Sequence, residues 1–264
     1  MKYLKQDLSF SEHNDHQVCE VKPLTLCEKG DHFQFGKKFR LVNGKWETLP
    51  YRGFAFVCMV KDNSGNDSLL DELRSYQQQL LTGALRDQIY PLPPDSFHQT
   101  IANLLSGSRF ATHIETPGLT TDYPRMVEQA LREIVPFSHP KPLVMQMIGL
   151  GIFGSAFGVL GIIPNETDYN KIVYFRNKLY QAPQMNRMGI QWTRPFIGHI
   201  TLGYFGEDIV KSDVRQKQLI ERCISLNQTI KKEGHKFTLH TAQLRRYEDL
   251  SRFEHPSNYP EWIF

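Results

Sequence analysis

His98-Gln99-Thr100 and His199-Ile200-Thr201 set an imidazole and a hydroxyl two residues apart, twice, with 101 residues (199 − 98) between the copies. On a β-strand alternate side chains project from one face, so the two members of each pair point the same way, about 7 Å apart. Near neutral pH an imidazole can take a proton or give one, and a hydroxyl can donate to a phosphate oxygen. Two such strands facing each other would bracket a phosphate. One neutral histidine then accepts a proton from water or a ribose hydroxyl, and the other, protonated, delivers one to the leaving oxygen. Imidazolium and hydroxyl groups carry the developing charge, so the scheme calls for no metal and no cofactor. A single His-x-Thr is a weak signal, because a histidine at a sheet surface with its nitrogens satisfied is the ordinary case. Here both triplets lie in apolar strand-like runs, and each follows a comparable strand-helix unit. His240-Thr241 lacks the intervening residue and sets no competing pair.

The elements that must position these residues alternate along the chain. Residues 1–50 read as an extension with a small hairpin, 38–42 and 45–48 flanking Asn43-Gly44, a pair suited to a two-residue turn with positive φ. Residues 54–60 read as a buried strand, and 68–90 as a helix with an apolar face that Pro91, Pro93 and Pro94 stop. A strand over 97–105 carries the first motif, and a helix over 124–135 is entered through Asp122 and a first-turn proline. Residues 142–164 are apolar enough to suggest a membrane span. Five glycines, with Gly154-Ser155 near the middle, fit two buried strands and a tight turn better. A helix over 168–180, a strand over 196–205 with the second motif, a helix over 213–232 and a last strand over 236–247 follow. What repeats is an order, strand then helix then strand with His-x-Thr, which is α+β organisation in two related lobes.

Arg194-Pro195-Phe196-Ile197-Gly198-His199-Ile200-Thr201-Leu202 resembles the second motif of the two-histidine (2H) phosphoesterase superfamily, which includes the bacterial 2′-5′ RNA ligase-like proteins and the 2′,3′-cyclic nucleotide phosphodiesterases. Ile148-Gly149-Leu150-Gly151-Ile152-Phe153 is similar to that superfamily's glycine-phenylalanine strand between the motifs. The resemblance spans residues 52–247, and an extension of some fifty residues resembles only the longer bacterial branch. After the first motif comes Ile101-Ala102-Asn103 where a second Leu-x-Phe-like triplet would complete the pattern. The resemblance implies a bilobal, pseudo-symmetric α+β fold, with two antiparallel-type sheets facing a central cleft, helices outside, and residues 51–264 as one two-lobed domain. It implies His98 and His199 as the acid-base pair and Thr100 and Thr201 as phosphate binders. Arg194, just ahead of the second motif, is then a phosphate or rim contact, or else a surface ion pair. The implied substrate is a cyclic phosphate or phosphodiester of a nucleotide or short RNA-derived molecule, of 2′,3′-cyclic or 2′-5′ type. The alternative is a module that holds a nucleotide or RNA end in the same cleft without turnover.

The bulk properties agree with such an enzyme. The 264 residues are 40% hydrophobic and 22% charged, enough for a sizeable core without disulfides or metal. A net charge of +3 suits an anionic ligand but not a nucleic-acid scaffold. Scattered Cys19, Cys27, Cys58 and Cys223 read as reduced thiols of a cytoplasmic protein, and MKYLKQDLSFSEHND lacks the apolar stretch of a signal peptide. The same reading has no membrane partner and no obligate protein partner. His13, His16, Cys19 and Cys27 make an H-x2-H-x2-C-x7-C string that either holds zinc or lies in a loop as unrelated side chains; its spacing fits no common finger. Of the aromatics near the motifs (Tyr90, Phe97, Trp192, Phe196 and Tyr204), Phe97 points away from His98 into the core. Trp192 is the better candidate for stacking on a base.

Overall fold

Asn43 and Gly44 both take positive φ, 50° and 74°, and the expected hairpin of β1 (Phe39–Val42) and β2 (Lys45–Thr48) closes on them. The computed structural model describes residues 6–264, the side chain of Asp31 excepted. Beyond the hairpin, two larger sheets each hold one His-x-Thr strand. The first sheet joins β3 (Gly53–Met59), β5 (His98–Ser106), β10 (Thr241–Tyr247) and β11 (Glu261–Ile263) in the order β11-β10-β3-β5. The second joins β4 (Ile89–Pro91), β6 (Leu143–Phe153), β7 (Ala156–Ile162), β8 (His199–Phe205) and β9 (Lys236–Leu239) in the order β4-β8-β7-β6-β9. Every pairing is antiparallel, and with the helices the fold is α+β.

Apolar patterning explains these elements. All seven residues of β3 are buried, but they divide by face. Phe54, Phe56 and Cys58 enter the main core, while Ala55, Val57 and Met59 form a small separate cluster with Tyr247. Helix α3 (Asp67–Leu80) buries Leu69, Leu73, Tyr76 and Leu80, and α5 (Glu166–Gln181) buries Tyr169, Ile172, Phe175 and Leu179. Between them in sequence lies α4 (Tyr123–Arg132), and α6 (Asp213–Glu233) runs from the Ser212 cap to a left-handed Gly234.

The two lobes repeat with a constant offset. Met59 pairs with His98 and Val57 with Thr100; Leu160 pairs with His199 and Gly158 with Thr201. Each second-lobe residue is its first-lobe counterpart plus 101 (160 − 59, 158 − 57, 199 − 98, 201 − 100). The registers also slip at the same place, between Phe56 and Val57 and between Phe157 and Gly158, so a β-bulge follows each His-x-Thr.

Several expectations need correction. The helix expected to Tyr90 ends at Leu80, because Gly83 takes φ 57°, and Ile89 and Tyr90 pair with β8 instead. The strand expected over 196–205 starts only at His199. The strand expected over 236–247 is two: the backbone N–H groups of His240 and Thr241 both turn to Asn63 Oδ1, at 2.8 and 3.3 Å, as the chain leaves one sheet for the other. It is not the last strand, since β11 follows. The extension, read as a loop around its histidines and cysteines, holds helices α1 (Phe10–Glu20) and α2 (Pro23–Glu28), and α1 starts at a Ser9–Glu12 capping box. The glycine-rich run is the β6–β7 hairpin, turning at Gly154 with φ 59°. Among the described residues no helix is long and apolar enough to cross a membrane.

Candidate active site

His98, Thr100, Arg194, His199 and Thr201 all line one cleft of about 600 Å³ between the two sheets. The histidines are held alike. His98 Nδ1 lies 2.6 Å from the Ser96 carbonyl, and His199 Nδ1 lies 2.9 Å from the Ile197 carbonyl, in each case two residues back. A carbonyl only accepts, so Nδ1 carries the proton in both rings and a neutral ring keeps Nε2 as a free base. Among the described residues neither Nε2 has a protein partner. Desolvation pulls the pKa of His98 down to about 4, with a smaller push from Arg245. Desolvation likewise pulls His199 to about 4, helped by the charge of Arg194 and by His98, so the imidazoles are near enough to oppose each other's protonation. At pH 7 both rings are therefore neutral. A bound anion would favour the imidazolium.

The bulges decide which later residues face the cleft. Without them, the third cleft-facing position would be His + 4. With an extra residue after each threonine it is His + 5, which is Asn103 on β5 and Tyr204 on β8. With its amide oriented oxygen toward the guanidinium, the assignment that satisfies both groups, Asn103 accepts from Arg194 Nε at 3.1 Å and Nη2 at 2.9 Å. Each lobe's helix sends a side-chain donor to the bulge of the other lobe. Gln77 of α3 donates to Leu202 O on β8 at 2.7 Å, beside Leu92 N–H at 3.0 Å, and Arg176 of α5 donates to Ile101 O on β5.

Arg176 is the hub of this bracing. Its Nε reaches Asp7 Oδ1 and Oδ2 at 3.0 and 2.9 Å, Nη2 donates to Arg194 O at 2.8 Å, and the two side chains are 2% and 1% exposed. Asp7 in turn accepts from Phe196 N–H. Gln99, fully buried, accepts from His199 N–H at 2.6 Å and donates to Ile197 O at 3.1 Å, joining the first motif to the second. From α1, Gln17 donates to Gly161 O and Gly198 O, and His13 Nε2 accepts from Gly198 N–H at 3.4 Å. The extension therefore braces the second motif from behind. Sequence reasoning missed Asp7, Gln17, Gln77 and Arg176 altogether. A signal existed for two: Gln77 lies four residues past Leu73 and Arg176 four past Ile172, polar residues inside apolar helix stripes.

Two side-chain readings change. His13 is buried, with Nδ1 at 3.1 Å from Asn14 Oδ1 and its ring stacked on Phe196, while Cys19 and Cys27 are exposed; the histidine-cysteine string does not converge. Trp192 packs on Tyr180 at 5.1 Å between ring centres and does not line the cleft. The aromatic walls come instead from Tyr51, Phe153, Tyr204, Tyr247 and Phe253. Phe253 lies 4.3 Å from the His98 ring and Phe153 meets the His199 ring edge-on at 5.3 Å, so each imidazole has an aromatic beside it. A side chamber of about 430 Å³ opens past Arg194 and His199 to His16, Glu20 and Lys29 of the extension. Among the described residues one group has metal-ligand spacing, Glu72, Glu233 and His235, and none of the three lines the cleft. Glu233 there already accepts from Tyr76 OH at 2.8 Å and meets His235 Nε2 at 2.9 Å.

No family model matches the chain, and no curated protein does. Among solved structures it is similar to a conserved protein of unknown function from Agrobacterium tumefaciens, with a TM-score of 0.53 and 17% identity over 84% of this chain and 90% of that one. At that identity the likeness is one of fold alone. A protein of Thermus thermophilus (TM-score 0.43, 14% identity, 81% of this chain and 94% of that one) and a protein described as a phosphoesterase (0.44, 14%, 81% and 98%) are more distant. These two weaker likenesses decide neither fold nor activity.

Proposed function

We propose that the chain is a phosphoesterase that hydrolyses a cyclic phosphate or phosphodiester of a nucleotide or RNA-derived substrate, of 2′,3′-cyclic or 2′-5′ type, by paired histidine acid-base catalysis. Residues 51–264 form the two-lobed catalytic unit in this reading, and residues 1–50 an extension braced on it. The observation that carries the proposal is the matched pair of imidazoles in one cleft, each with Nδ1 fixed on a carbonyl and Nε2 free. Both rings are half-buried and, among the described residues, neither Nε2 is a buried unpaired atom, so each nitrogen stays accessible from the cleft, twice at equivalent positions.

The substrate phosphate sits between the two His-x-Thr strands. Thr100 and Thr201 donate to its non-bridging oxygens, and Arg194, held by Asn103, adds a positive charge. Entry of the anion favours protonation of one imidazole, so the acid acquires its proton with the substrate. The Nε2 of the other takes a proton from water as the water oxygen bonds to phosphorus. The phosphorus–oxygen bond on the opposite side breaks, and the imidazolium returns its proton to the departing oxygen. The imidazoles exchange charge over the cycle, and no further reactant is consumed.

Turnover is tested on a panel of 2′,3′-cyclic nucleotides, 3′,5′-cyclic nucleotides and short 2′-5′ oligonucleotides, with excess chelator, beside His98→Ala and His199→Ala. The expected result is cleavage that chelator does not abolish, reduced at least about a hundredfold in each variant. Activity that requires added metal sinks the mechanism. Binding of a nucleotide without any turnover would turn the reading to a non-catalytic binding module.

A further inference from the structure

Among the described residues the cleft is lined by three cationic side chains, Lys38, Arg109 and Arg194, and by no aspartate or glutamate. A single reacting phosphodiester carries one negative charge, and the Thr100, Thr201 and Arg194 cluster already meets it. Arg109 donates to the Gly189 carbonyl. Lys38 is left over. It comes from the extension, whose Gly36 N–H is pinned to the Phe205 carbonyl at the end of β8 at 3.0 Å. Its Nζ lies 3.8 Å from the centre of the Tyr51 ring and 5.9 Å from that of Tyr204, and among the described residues no carboxylate lies within ion-pair reach of it. A half-buried ammonium would ordinarily extend into water or find a carboxylate. Here aromatic faces hold it in the cleft wall.

We propose that Lys38, walled by Tyr51 and Tyr204, is a second anion subsite, and that the substrate carries a further phosphate at the end remote from the reacting one. Tyr204 follows His199 by five residues on β8, so its Cα lies on the order of 15 Å along the strand from that of His199, and Lys38, with Nζ 5.9 Å from the Tyr204 ring, flanks the cleft on that side. The substrate class is therefore a short oligonucleotide with a phosphorylated far end. Burial pushes the Lys38 pKa below the usual lysine value, Tyr51 opposes it and the charge of Arg194 adds a smaller downward push, and an arriving phosphate would raise it. The side chamber is the poorer candidate for this anion, because its one lysine from the extension, Lys29, is already paired with Glu20 at 2.9 Å.

The inference rests on the reading of the histidine-threonine cluster as a phosphate site, and the test separates the two. Titration calorimetry compares a 3′-phosphorylated dinucleotide with a free 5′-hydroxyl against the same dinucleotide with a 5′-phosphate. Both are 3′-5′ linked and carry no cyclic phosphate, so neither offers a bond of the proposed 2′,3′-cyclic or 2′-5′ type and binding is read apart from turnover. Wild type should bind the 5′-phosphorylated member about tenfold more tightly, the ratio expected of one charge-assisted hydrogen bond. Lys38→Met should lose that preference and Lys38→Arg should keep it. The slope of log affinity against log salt should become shallower by roughly 0.7 for Lys38→Met with the 5′-phosphorylated ligand. The urea midpoint of Lys38→Met should change little, because methionine keeps the packing against Tyr51 and Tyr204 and no carboxylate loses its partner. Equal affinity for both ligands in wild type, or a preference that survives Lys38→Met, overturns the second subsite alone. If neither ligand binds, the phosphate-site reading falls as well.

Discussion

His13 offers a test of the bracing behind the second motif. It is fully buried, and desolvation pulls its pKa from 6.5 to about 4, with a smaller opposing effect from the Asn14 amide. A histidine held neutral in this way lets the unfolded chain bind the extra proton, so its contribution to stability is complete above pH 6.5 and is lost as the pH falls toward 4. At pH 5.0 the loss is RT ln[(1 + 10^1.5)/(1 + 10^−1.0)], or roughly 2 kcal/mol, and at pH 7.5 it is less than about 0.1 kcal/mol. His98 and His199 act in the same direction but stay common to both proteins when His13→Gln is compared with wild type. Glutamine is neutral and can still accept from Gly198 N–H, so the variant should be much less sensitive to acid. The assay is urea unfolding at pH 7.5 and 5.0. With a slope of about 2–3 kcal/mol per molar urea, wild type should lose between roughly 0.7 and 1 M more of its midpoint than His13→Gln does over that interval. Parallel losses in the two proteins would refute the reasoning, since they would mean that His13 titrates alike in the folded and unfolded chains.

Two more substitutions probe the same frame. Arg176→Met leaves the Asp7 carboxylate buried without a partner and removes the donor from Ile101 O and Arg194 O, so it should lower unfolding free energy by about 3–5 kcal/mol in a denaturant titration. An effect below about 1 kcal/mol would mean that the ion pair braces nothing. Gly158→Ala would place a Cβ 2.2 Å from Ile200 O and 2.8 Å from Thr201 Cα, forcing β7 from β8 at the second motif. It should cost about 1–3 kcal/mol and weaken phosphate-ligand binding, whereas Gly30→Ala, with nothing within 4 Å, should stay within about 0.5 kcal/mol by the same titration.

The sequence made the repeated parts legible and left the crossing parts dark, for a physical reason. A strand with His-x-Thr is a local pattern: alternation over a few residues puts both side chains on one face, whatever surrounds them. The β6–β7 hairpin was likewise readable from its glycines, and the β1–β2 turn from Asn43-Gly44. By contrast, Gln99 reads locally as an interior residue of the first motif, and nothing near it reveals that its partner is the N–H of His199. Asp7 and Arg176 are 169 positions apart, and their pairing exists only once both lobes and the extension have come together. The break at His240 was invisible for the same reason. Residues 236–247 read as one alternating run, and the distant Asn63 side chain takes the backbone where the two strands part.

In the proposed function, symmetry in the centre and asymmetry at the flanks divide chemistry from selection. The 101-residue offset holds for both histidines, both threonines, their pairing partners and both bulges, and it continues to the next cleft-facing pair, Asn103 and Tyr204 (204 − 103). Residue identity departs there. Asn103 grips Arg194, whereas the Tyr204 ring lies beneath Lys38. A phosphate between the motifs meets nearly the same groups from either side, which suits a reaction in which acid and base exchange roles. Whatever is attached to that phosphate meets unlike groups at the two strands, Asn103 on β5 and Tyr204 with Lys38 and Tyr51 against it on β8. Those flanking groups lie largely outside the repeat, since Lys38 belongs to the extension and Tyr51 to the link that leaves it. In the proposed function the repeated frame holds the reacting phosphate, and the unrepeated segments fix the direction in which a substrate can lie and the length it can have.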